Sequence, residues 1–120
     1  MRAQKVVLCI GSGAIELSFR CALLKEHGWN VISSGSGRDG IFRFGEEAVD
    51  AVVLDMNDDG SEAALIAGEL KRQRPDVPIV LIVTDQKILA RGATDQADAV
   101  VLKANEAGRL AKVVSKLLKA

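Results

Sequence analysis

The feature that most constrains this chain is a rhythm: short apolar runs alternate with longer patches of helical spacing, and the alternation occurs five times. The runs are Val6 to Ile10, Asn30 to Ser33, Ala51 to Leu54, Ile79 to Val83 and Ala99 to Leu102. Most are apolar throughout rather than alternating, as strands buried on both faces of a parallel sheet must be. The second is more polar and reads as an edge. Five βα units with right-handed crossovers predict a single α/β domain over residues 1–120, doubly wound and flavodoxin-like, with a parallel five-stranded sheet of order 2-1-3-4-5.

Between the runs, Ile15, Phe19, Ala22 and Leu23 form one apolar stripe, Ile41, Phe44 and Ala48 a second, and Ala63, Ile66, Ala67 and Leu70 a third, each expected to cover the sheet. The last helix is the clearest, with Leu110, Val113, Val114, Leu117 and Leu118 on one side and Arg109, Lys112, Lys116 and Lys119 on the others. The fourth, around Gln86 to Ala93, contains Gly92 and is expected to be short. Ser61 and Asn105 read as N-caps, and Pro75 and Pro78 mark where the third helix must already have stopped.

Composition narrows the function classes. The 120 residues are 48% hydrophobic, enough for one core without staples. Sixteen basic and sixteen acidic residues cancel, so the field that would draw nucleic acid or an anionic membrane is missing. No apolar stretch approaches the roughly 20 residues a membrane span needs, and the first run is too short for a signal-peptide core, which points to the cytoplasm. Cys9 and Cys21 lack metal-ligand spacing and read as buried small hydrophobes; a reactive thiol is the sharper reading for Cys21, with Arg20 its neighbouring cation.

In a doubly wound sheet the chemistry lies beyond the carboxyl ends of the strands. Asp55, Thr84 and Lys103 each follow the last apolar residue of a run, so the fold gathers a carboxylate, a hydroxyl and an ammonium on one edge. Those are the parts that hold a phosphoryl group; Asp55 and Lys103 also satisfy each other as a structural ion pair. The first run ends instead in Gly11, Ser12 and Gly13. Such a turn could offer backbone donors to a phosphate or nucleotide, but Glu16 stands where a dinucleotide fingerprint needs its third glycine.

Over essentially its whole length the chain resembles the receiver domain of two-component response regulators. The stretches that carry the likeness are Leu23 to Trp29, Asp39-Gly40 ahead of the second helix, Ala51 to Asp55, Leu70 through Pro78 into Ile79 to Thr84, and Ala97 to Lys103. The resemblance implies that Asp55 is the phosphoacceptor, Thr84 the hydroxyl that follows the phosphoryl group and Lys103 its charge partner. It implies a non-enzymatic signalling protein of a phosphorelay, partnered by a sensor histidine kinase or another signalling protein, with a homodimer conceivable through the fourth helix, fifth strand and fifth helix.

Departures from the family pattern are equally specific. Gly11 and Ser12 occupy the positions of the paired acids that hold magnesium, which leaves Asp55 and the backbone carbonyl of Asn57 as its ligands. Asp58, Asp59, Asp85 and Glu16 are the acids near enough to substitute. Val100 replaces a usual aromatic residue, Ala104 a usual proline, and Asp85 follows Thr84 where a small residue is normal. These departures favour a pseudo-receiver that keeps the fold and the partner surface without phosphorylation. With no DNA-binding or catalytic segment after the last helix, output is expected through contact, on the face holding Val100, Leu102 and that helix.

Overall fold

The structure is a computed structural model that describes residues 4–55, 61–84 and 95–119. Its elements in chain order are β1 (Val6–Gly11), α1 (Ala14–Glu26), β2 (Asn30–Ser34), α2 (Gly37–Glu46), β3 (Ala51–Asp55), α3 (Ser61–Gln73), β4 (Ile79–Val83), β5 (Ala99–Leu102) and α4 (Glu106–Lys119), the last entered through a 3-10 turn at Lys103–Asn105. All strand pairings are parallel and the order is β2-β1-β3-β4-β5, as the repeat pattern predicts. The expected fourth helix, Gln86 to Ala93, falls outside the described residues.

Strand residues alternate between two cores. Leu8, Ile10, Val52, Leu54, Ile79 and Leu81 meet Phe44 of α2 and Ala63, Ile66, Ala67 and Leu70 of α3. Val7, Cys9, Val53, Val80, Ile82 and Val101 meet Leu17, Cys21 and Leu24 of α1 and Leu110 and Val114 of α4. Helices α1 and α4 therefore share one face of the sheet, and whatever they carry above the strand ends can meet there. None of the described helices is long and apolar enough to cross a membrane.

The first helix corrects the sequence reading. Its buried face is Leu17, Arg20, Cys21 and Leu24, whereas Ile15 and Phe19 of the expected stripe are 83% and 59% exposed. The helix is apolar on two sides, so periodicity alone does not fix its phase. The Ile15–Phe19–Ala22 row continues to Glu26, a charge that would be forced toward the sheet, while the Leu17–Cys21–Leu24 row ends at the helix terminus. In the second expected stripe Ala48 is exposed beyond the end of α2, and Val49 is buried instead. Asp39-Gly40 lies inside α2 rather than ahead of it; the cap is Ser36, whose hydroxyl accepts from the Asp39 amide.

At the amino ends of the strands two aspartates act as clasps. Asp50, just before β3, accepts from the Val6 amide at 2.7 Å, and Asp98, just before β5, accepts from the Ile79 amide at 2.8 Å. Asp98 also takes Lys71 Nζ at 2.7 Å. These acids serve the sheet, which leaves the opposite edge for the site. The α1–β2 connection turns at Gly28, whose φ of 90° suits glycine, with His27 and Trp29 stacked across it at 5.3 Å.

Candidate functional site at the carboxyl edge of the sheet

Asp55 is the last residue of β3 and is only 4% exposed. Odd-numbered residues of that strand point to the α1/α4 side, so its carboxylate faces the gap between those helices. Lys103, at the first position after β5, reaches it with Nζ 3.2 Å from Oδ2. Thr84 stands exposed just past the end of the neighbouring strand β4. The expected convergence of strand ends is therefore real for Asp55 and Lys103, with Thr84 on the same edge.

The site also contains two residues that the sequence reading did not assign to it. Arg20 reaches up from α1, and its Nη2 donates to Asp55 Oδ2 at 3.0 Å. The same guanidinium is held from the other side by Glu106 at the start of α4, with Nε to Oε2 at 2.6 Å and Nη2 to Oε1 at 2.9 Å. That is a two-bond fork, the strong geometry of an arginine–carboxylate pair. Arg20 is 1% exposed, and among the described residues no buried side-chain polar atom lacks a partner. Burial pulls the Arg20 pKa down, but the hydrogen bonds and charge of Glu106, followed by those of Asp55, outweigh it and leave the group more firmly cationic than usual.

Gly11 makes room for this arrangement. It pairs in register with Asp55, and a Cβ at Gly11 would lie 3.2 Å from the Asp55 carbonyl oxygen and 3.6 Å from Arg20 Nη1. The guanidinium thus occupies the end of β1, where the receiver pattern has its paired acids. Sequence carried one signal for it: Arg20 belongs to the Leu17–Cys21–Leu24 face, and a charge on a buried face demands a partner. The signal was masked because the competing Ile15–Phe19 stripe leaves Arg20 off the sheet-facing side.

The described residues do not fit a magnesium ion. Asp55 is the one expected ligand among them, its Oδ2 already receives two cations, and no group of three His, Cys, Asp or Glu is arranged to hold a metal. Two carboxylates and two cations make the cluster neutral, so a dication would find no net negative charge there to neutralise. The other expected ligand, Asn57, lies outside the described residues, as do Asp58, Asp59 and Asp85. Glu16 is described: its carboxylate folds over the glycine turn, where a Cβ at Gly13 would come within 2.5 Å of Oε2. Negative charge therefore already stands at the start of α1, where a bound phosphate or nucleotide would need donors.

No family model and no curated protein matches the chain. Solved structures do match. The response regulator protein TrrA from Thermotoga maritima, in complex with magnesium and beryllofluoride, superimposes with a TM-score of 0.86 at 23% identity, over 95% of this chain and 99% of that one. A CheY-like receiver domain protein from Methanospirillum hungatei gives 0.86 at 15% identity, over 98% and 95% of the two chains. A receiver protein from Sinorhizobium medicae gives 0.83 at 24% identity, over 98% and 97%. The chain has the fold of response regulator receiver domains along nearly its full length.

Proposed function

We propose that this protein is a receiver-fold signalling module that acts by docking, and that its Asp55 site is held by internal charge pairs instead of being switched by metal-dependent phosphorylation. The observation that carries the proposal is the Arg20 guanidinium 3.0 Å from Asp55 Oδ2 and forked onto Glu106. Phosphoryl transfer to a carboxylate depends on positioning and on cations that neutralise the incoming oxygens. Here the cations already neutralise the carboxylate itself, and an incoming phosphoryl group would have to displace the Arg20 contact from Asp55.

In this account the module is a binding protein of the cytoplasm rather than an enzyme, partnered by a sensor kinase, another regulator or a second copy. Its docking face is the open edge of the sheet at β5 with the adjoining side of α4. Val100, Leu102, Val113, Leu117 and Leu118 are all half-buried there, which leaves apolar surface for a partner.

The Lys103–Asp55 contact is the observation that favours the other reading, in which Asp55 is the phosphoacceptor. Incubation with magnesium and acetyl phosphate, followed by intact mass, separates the two. The expected result is an unmodified mass for the wild type. A gain of one phosphoryl group that Asp55→Asn abolishes would overturn the proposal and give Asp55 the acceptor role.

A further inference from the structure

The outer face of α4 carries a row of positive charge. Arg109, Lys112, Lys116 and Lys119 are all exposed, and their spacing of i, i+3, i+7 and i+10 sets them in one line along the helix over about 15 Å. Glu106 is the one acid of the helix, and its carboxylate is already forked onto Arg20. Among the described residues none of the four cations has an ion-pair partner. Exposed arginines on the neighbouring helices do have one: Arg43 lies 3.8 Å from Asp39 of α2, and Arg72 lies 2.6 Å from Glu69 of α3.

Stability of the helix does not account for the row. Like charges three and four positions apart repel each other. The helix dipole favours cations in the last turn, which covers Lys116 and Lys119. Arg109 is the fourth residue of the helix and Lys112 stands mid-helix, so both lie outside that favourable end. Arg109, Lys112 and Lys116 instead border a cavity of about 220 Å³ together with Val113. Val113 is half-buried, as is Leu117 one turn on, so an apolar strip runs beside the cations.

We propose, resting on the docking role given above, that the partner is an acidic amphipathic helix of another protein, its carboxylates paired with the cation row and its apolar side laid over Val113 and Leu117. Successive cations are about one helical turn apart, so a second helix with Glu or Asp at the same spacing meets each in turn. Nucleic acid would answer the cations but offers nothing to Val113 and Leu117. A chain with sixteen acids against sixteen bases also lacks the long-range field that gathers a polyanion.

The test is amide NMR titration of the full chain with two designed helical peptides that share a leucine row and differ only in carrying glutamate or glutamine at i, i+3, i+7 and i+10. The glutamate peptide is expected to give saturable shifts at Arg109, Lys112, Val113 and Lys116, to bind about tenfold more tightly than the glutamine peptide, and to lose that advantage at about 0.5 M salt. The double variant Lys112→Glu, Lys116→Glu is expected to release the glutamate peptide and to take one with lysine in those places, a swap that damage to the fold would not produce. Equal binding of the glutamate and glutamine peptides at Val113 and Leu117 would overturn the acidic partner and leave the docking face standing. No saturable shift on α4 with either peptide would overturn both. Tighter binding of duplex DNA or of phosphatidylglycerol vesicles to the same amides, or their burial in a dimer of this chain, would overturn the acidic helix in favour of that occupant.

Discussion

A guanidinium with 1% exposure is stable only while its charge and its donors are met, and Arg20 has Glu106 on one side and Asp55 on the other. Removing one member of a buried pair costs about 3–5 kcal/mol, because the remaining charge has no water to turn to. Arg20→Ala leaves Glu106 without its fork and Asp55 with Lys103 alone, and is expected to lower stability by that amount, read from the urea midpoint. Glu106→Gln keeps the shape and a weaker hydrogen bond, so about 1–3 kcal/mol is expected. A second residue-scale prediction concerns pH. The folded Cys21 pKa, about 7, lies below that of a free thiol, so between the two values the unfolded chain binds more protons and stability rises with pH. That contribution is lost as pH falls through the folded value. Thermal midpoints at about pH 6 and about pH 9 should show the rise in wild type and its absence in Cys21→Ser.

At the scale of elements, close approach decides what each helix tolerates. Helix α2 lies tightly on β1: a Cβ at Gly40 would come within 2.5 Å of Ile10 Cδ1 and 2.7 Å of Cγ1. Gly40→Ala is expected to destabilise by about 1–3 kcal/mol through overpacking. Gly68 in α3 faces open space, so Gly68→Ala should stabilise by about 0.5–1 kcal/mol through reduced freedom of the unfolded chain. Opposite signs for one substitution in two helices, measured by urea denaturation, check the packing directly. The third helix was legible because only one of its faces, Ala63–Ile66–Ala67–Leu70, is apolar in period. The first was not, because two faces compete and the choice rests on where Glu26 and Arg20 can go, which is a tertiary matter.

For the whole molecule, topology follows from apolar runs that must be buried on both sides, and the polar second run was correctly an edge. The same logic placed Asp55 and Lys103 at one edge, since residues ending neighbouring parallel strands cannot be far apart. The Arg20–Glu106 fork was not legible, because it joins the first and last helices across 86 positions and depends on the phase of both. Its consequence is global: α1, β3 and α4 are tied by charge at the edge where a receiver would bind its metal and phosphoryl group.

We infer that Arg20 fills the place of that metal. It is tested most directly by amide NMR titration of the wild type and Asp55→Asn with magnesium and then beryllofluoride. No saturable shift is expected at Gly11, Asp55, Thr84 or Lys103 in either protein. Saturable shifts at those amides in the wild type, absent from Asp55→Asn, would contradict it and show that the site binds metal and phosphoryl mimic despite the guanidinium.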